Sequence, residues 1–193
     1  SLGAGWTWAR PLLADRRRTW SVVAAGFLLS ANWLIYVWAV TNDRVIDASL
    51  GYFINPLVTV LLGVVILGEH LRRLQWAAVA AGAVSVLVLV LGYGAVPWVS
   101  LGLAASFGTY GLLKKQVGLG PVEALTAETF AVAPVALVGM GWALLAGELD
   151  FPGAPVSMKL LLLAAGAVTA APLLAFGVAT MRIPLSVIGL LQY

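Results

Sequence analysis

An all-α transmembrane helix bundle, with about six complete spans and a truncated seventh, is predicted from three observations. Of the 193 residues, 62% are hydrophobic and only 10% charged, with a mean hydropathy of +1.00, where a soluble domain carries about 25% charge. The apolar residues gather into runs close to the roughly 20 residues that cross about 30 Å of hydrocarbon. Basic residues fall almost wholly on alternate connections, as expected where Lys and Arg are retained on one side of a membrane.

Residues 1–19 hold Trp6, Trp8, Arg10 and the run Arg16-Arg17-Arg18. They read as a basic cytoplasmic loop that sets orientation; resting on an anionic leaflet is the alternative. Residues 20–193 then form one transmembrane domain. The first apolar run, 20–41, carries Asn32 and Tyr36 one helical turn apart. The second, 47–68, contains Asn55-Pro56 and stops at Leu67-Gly68-Glu69-His70 and a basic pair. At about 100° per residue, Ser49, Tyr52, Asn55, Pro56, Thr59 and Gly63 share about a third of its circumference. The third run covers 74–93 and the fourth 96–113, where Gly102, Ser106, Thr109 and Tyr110 cluster on one face. The fifth, 122–147, holds Glu128 and Pro134; the sixth, 158–179, holds Pro172. A seventh begins near Ile183 and reaches Tyr193 after about half the length a span needs. Connections such as 42–46 and 92–95 are too short for a soluble module. With Ser1 at one end and this shortened run at the other, the sequence is expected to be part of a longer chain.

If the first connection is inside, the inner segments hold Arg10, Arg16, Arg17, Arg18, Arg72, Arg73, Lys114, Lys115 and Arg182, and the outer ones Arg44 and Lys159. The net charge of +3 thus reflects sidedness, and implies no nucleic-acid partner. No cysteine is present, so no disulfide framework exists.

Polar groups inside spans are costly and face a bundle interior or a cavity. Ser49, Thr59, Ser106 and Thr109 read as small residues that bring helices together; Asn32, Tyr52 and Asn55 read as cavity residues. Glu128 sits about 9 Å from the inner end of its helix. A charged acid at mid-depth costs about 3 kcal/mol. Three readings stay open for it: a proton or cation site, a neutral acid in an interhelical hydrogen bond, and a carboxylate reaching inner water. Glu69 and His70, beside Arg72 and Arg73, read as a helix-terminal ion cluster. Pro56, Pro134 and Pro172 fall near the middle of three spans and read as helix breaks, the device by which many transporters build a midplane site. A faint echo, Ser49-Leu50-Gly51-Tyr52-Phe53 against Ser186-Val187-Ile188-Gly189-Leu190, has the opposite sense expected of an inverted repeat.

Together, Asn32-Trp33, the run from Ala48 to Leu57, Leu67-Gly68-Glu69, Ser106-Phe107-Gly108-Thr109-Tyr110-Gly111, Glu128-Thr129 with Pro134, and Leu185-Ser186 through Gln192-Tyr193 resemble the RarD branch of the EamA-type drug/metabolite transporters. That likeness implies ten helices in two inverted five-helix repeats around a central cavity, in the inner membrane of a bacterium. The spans here would be the third to ninth, the ninth incomplete. It also implies transport of small metabolites or drugs. On this reading Asn32, Tyr52, Asn55, Tyr110, Glu128 and Gln192 line the cavity, the amides and phenols bonding the solute and Glu128 giving charge compensation or proton coupling. No cofactor and no metal are expected. The partners are a small-molecule substrate, the lipid bilayer, the missing helices, and a second copy of the chain as a homodimer.

Two other classes compete. An intramembrane enzyme needs a nucleophile with a base or spaced metal ligands, and the chain offers one His, no Cys and no paired intramembrane carboxylates. There is no Walker motif for an ATP-driven pump. A non-transporting assembly subunit would explain the small-residue faces but does not call for Asn55-Pro56 and Glu128 together.

Overall fold

The computed structural model describes residues 7–149 and 153–193; Trp6 of the basic run lies outside them. The described chain forms a short helix α1 (Ala9–Ala14), then α2 (Arg16–Thr41), α3 (Val45–Leu67), α4 (Arg73–Tyr93), α5 (Trp98–Val117), α6 (Pro121–Leu145), α7 (Val156–Arg182) and a short α8 (Leu185–Leu190). Among the described residues, α2, α3, α4, α6 and α7 are long and apolar enough to cross a membrane.

The fourth expected span, α5, is 20 residues long but does not reach that hydropathy. It carries Ser100, Ser106, Tyr110 and Lys114, all buried, because α5 packs against α3 and α2, and near its end Tyr110 and Lys114 also meet α6 and α7. A helix screened by its neighbours need not be apolar all round. By contrast α4 buries none of its residues, and α6 only Ala124 and Glu128. Their outward Leu, Val and Met side chains suit hydrocarbon.

Helix ends follow local chemistry. The region expected to be a loop up to residue 19 holds the short helix α1 and, from Arg16, the start of α2, where Asp15 accepts from the backbone N–H of Arg17 at 3.0 Å and Arg18 at 3.2 Å. That carboxylate satisfies donors a helix start leaves unpaired. Gly68 ends α3 in the left-handed region at φ 67°, where glycine carries no Cβ penalty. Pro56, Pro134 and Pro172 do not break their helices, contrary to expectation: α3, α6 and α7 run through them without interruption. Each proline removes one helix donor, but the helix continues on both sides of it.

The centre of the molecule is α3. It lies antiparallel to α8 and the residues after it, so that Ser186 meets Gly63, Gly189 meets Pro56, Gln192 meets Asn55 and Tyr193 meets Phe53. A Cβ at Gly189 would stand 2.8 Å from the Pro56 carbonyl oxygen and 3.1 Å from the Val60 nitrogen. Backbone therefore touches backbone at this crossing. One end of the bundle gathers the start of α2, the ends of α3, α5 and α7 and the start of α8, with Lys115 and Glu69. At the opposite end Asp47 is buried, paired with Arg44 at 2.9 Å, bonded by the Tyr93 hydroxyl at 2.8 Å, and its carbonyl accepts from Ser100 at 2.6 Å.

Gly189→Ala is expected to destabilise the protein by about 1–3 kcal/mol, the usual cost of overpacking against a rigid surface. Gly166→Ala, which meets nothing within 4 Å, is expected to leave the unfolding temperature in detergent unchanged.

Candidate functional site

A cavity of about 490 Å³ opens between α2, α3, α5 and α7. Its α3 wall is Ala48, Gly51, Tyr52 and Asn55, which lie on one helical face by the 3.6-residue period. From α2 come Asn32, Trp33 and Tyr36; Phe107 comes from α5, Pro172 and Phe176 from α7, and Gln192 from the turn after α8. Four of the six candidate cavity residues, Asn32, Tyr52, Asn55 and Gln192, are therefore brought together, although they come from separate elements.

Their bonding is uneven. The Asn32 amide nitrogen donates to the Leu103 carbonyl and to the Ser106 hydroxyl, both at 2.9 Å, which fixes the side chain across α2 and α5. Asn55 donates to the Gln192 side-chain oxygen at 2.7 Å, while its own Oδ1 is buried with no partner; the Thr59 hydroxyl one turn on is in the same state. Tyr52 is 64% exposed, with its ring edge-on to Tyr36 at 6.1 Å, and Tyr36 edge-on to Trp33 at the same distance. Such perpendicular rings are a favoured aromatic geometry and make a rigid wall.

Tyr110 and Glu128 are placed elsewhere. Neither lines this cavity; Glu128 borders a separate hollow of about 410 Å³ between α2 and α6. Its carboxylate is bonded by the Lys114 ammonium at 2.9 and 3.1 Å and by the Tyr110 hydroxyl at 3.3 Å. The ion pair is shut in, with side-chain exposures of 3% and 4%. Lys114, counted from sequence among the inner basic residues, is in fact the partner that lets a carboxylate exist at this depth. Its spacing from Tyr110, four residues on a helix, was the available signal. The pair is not isolated from the cavity: the Tyr110 ring stacks on Phe176 at 6.0 Å and 17°, and Phe107 lies 5.3 Å from Phe176. Phe107 and Phe176 are cavity walls that apolar patterning alone does not distinguish from ordinary core.

Glu69 does form an ion pair at the end of α3, but the partner shown is Lys115 at 3.8 Å, not the adjacent Arg72 and Arg73, and the carboxylate also accepts the backbone N–H groups of Leu185 and Ser186, each at 2.7 Å. Burial alone would raise its carboxyl, but the two N–H bonds and the Lys115 charge together hold it below its ordinary value. A carboxylate held low contributes its stability above the ordinary carboxylate range, and that contribution is lost as pH falls through the lowered value.

A model of the EamA-like transporter family matches residues 2–91. Protein RarD of Streptomyces exfoliatus is 50% identical over 188 residues, covering 97% of this chain and 60% of that protein. The transporter YojE of Bacillus subtilis is 47% identical over 174 residues, covering 90% of this chain and 57% of its own. Protein RarD of Escherichia coli K12 is 40% identical over 189 residues, covering 97% and 64%. The chain thus spans about three-fifths of the length of these curated relatives. No solved structure matches it. Membrane-spanning apolar helices, the family match and these relatives together show that the chain belongs to the EamA-like transporter family, in its RarD-like branch.

Proposed function

We propose that this chain forms the greater part of a secondary transporter that moves a small metabolite or drug across a bacterial inner membrane by alternating access. The observation that carries the reading is the cavity between α2, α3, α5 and α7, with amides and phenols in an otherwise apolar wall. That mixture is the usual makeup of a small-molecule site. In this reading Asn32, Asn55 and Gln192 bond the polar edge of the solute, and Tyr52 covers its flat face. The antiparallel setting of α3 and α8 supports an inverted repeat, and the gathering of basic residues at one end supports a cytoplasmic position for it.

The Lys114–Glu128 pair sits one aromatic layer behind the solute, through Tyr110 and Phe176. Glu128 here compensates Lys114 and does not meet the solute. A proton reaching it would release Lys114, and this is the route by which a proton gradient would drive the cycle.

Flux of a metabolite and antibiotic panel in cells expressing the complete reading frame tests the reading. Asn55→Ala at equal abundance is expected to lower flux of the accepted solute about tenfold, the loss of roughly one good hydrogen bond. No solute distinguishing it from wild type would move weight to the assembly-subunit reading.

Glu128→Gln alone leaves a buried ammonium unbalanced, and is expected to destabilise by about 3–5 kcal/mol. The Lys114→Met, Glu128→Gln double variant is expected to recover most of that loss in thermal unfolding. It is also the folded background for testing coupling: its flux should no longer depend on the pH gradient, and retained dependence would remove Glu128 from the coupling step.

A further inference from the structure

The cavity and the closed end of the bundle are separate places on α3. Tyr52 lies 11 residues before Gly63, about 16 Å along the helix, and past the left-handed Gly68 the Glu69 carboxylate folds back to the level of Gly63. Between them the space is filled by Leu62 and Leu67 packed with Leu112, Leu185 and Ile188, and Phe176 joins this cluster while also walling the cavity. Beyond the plug, Glu69 makes the only described hydrogen bonds from the α3–α4 connection to the α7–α8 junction. Gly63 makes room for it: a Cβ there would stand 2.7 Å from the Glu69 Oε2 and 2.9 Å from the Ser186 nitrogen. Lys115, from the end of α5, donates to the Thr180 carbonyl at 3.2 Å and the Ile183 carbonyl at 2.7 Å, and lies 3.8 Å from Glu69. One carboxylate and one ammonium thereby hold α3 and α5 against α7 and α8.

Two properties set this construction apart from the other charged groups. The Lys114–Glu128 pair is sealed, whereas Lys115 and Glu69 keep 24% and 13% side-chain exposure, so water can replace their partners. The Asp47 network at the opposite end joins α3 to α4 and α5 only, through Tyr93 and Ser100. At the basic end the described bonds that reach the α7–α8 junction are those of Glu69 and Lys115; the other described bonds from α3 to this side, Asn55 with Gln192 and the Tyr193 hydroxyl to the Phe53 carbonyl, lie past the end of α8 at the level of the cavity.

We propose that Glu69 and Lys115 are the gate of the basic end: their bonds to the α7–α8 junction hold the apolar plug shut, and their release opens the cavity to that side. This rests on the transporter reading. Both are positioning residues, since neither touches the cavity. Charge-assisted bonds of this kind are about twice as strong as neutral ones, yet each is made to backbone or to a partly hydrated partner and can be exchanged for water.

The described segment contains no cysteine, so single cysteines can report access. In the full-length protein, with any cysteine outside this segment replaced, Ile188→Cys marks the plug and Tyr52→Cys the cavity. Each is labelled with a membrane-impermeant maleimide, the plug from the basic side and the cavity from the opposite side. Glu69→Gln is expected to raise Ile188→Cys labelling about tenfold or more, the shift that losing one hydrogen bond to a charged group gives, and to lower Tyr52→Cys labelling. Lys115→Gln should act in the same direction. Unchanged labelling of Ile188→Cys would overturn the gate. So would a rise at both positions, which is the mark of general loosening. The labelling needs no solute, so it can fail while the flux assay succeeds, and the reverse.

Discussion

Close approach of α3 to its neighbours is the constraint on which the rest of the bundle depends. In hydrocarbon, helices gain little from burying apolar side chains against each other, because lipid is equally apolar; association relies on tight packing and interhelical hydrogen bonds. Here the packing is made by Gly51 against α5 and by Gly63 and Gly189 at the α3–α8 crossing. Once these backbones touch, Asn55 comes within reach of Gln192, and Glu69 within reach of Leu185 and Ser186. A bulkier residue at either glycine would separate both sets of partners.

The charged groups form three constructions, and their burial tells their work apart. At one end Asp47 ties α3 to its sequence neighbours. Between α5 and α6, Lys114 and Glu128 are sealed and cancel each other's charge, a pairing that low dielectric makes costly to break from one side. At the other end the more exposed Glu69 and Lys115 reach the α7–α8 junction. The cavity occupies the space that these constructions leave between α2, α3, α5 and α7. Phe176 is at once cavity wall, stacking partner of Tyr110 and part of the apolar plug. A solute that moved this ring would press on both the ion pair and the plug.

Much of this was legible from the residues. Hydropathy located the spans within a few residues, since crossing hydrocarbon demands length and apolar character whatever the neighbours. The 3.6-residue period placed Tyr52 and Asn55 on one face, and the structure sets both on one cavity wall. Where the sequence reading departs from the structure at charged residues, a partner on another helix is the reason. Glu69 was grouped with Arg72 and Arg73 because they adjoin it, yet its ligands lie more than a hundred residues away. Lys114 falls among the inner basic residues by sequence because it stands near a helix end, where the arrival of α6, with Glu128, and of α7, at Gly177, buries it. The prolines were read as breaks, although a helix can carry one missing donor without stopping.

By itself, then, the sequence determined that this chain is a membrane helix bundle, where its helices run, and which faces are polar, because those properties follow from local composition and the helical period. The tertiary structure alone decided which polar groups meet: Asn55 with Gln192, Glu128 with Lys114, Glu69 with the start of α8. The reason is that a buried hydrogen bond is fixed by the approach of two backbones, and in this fold that approach is set by glycines and crossings that no single helix specifies.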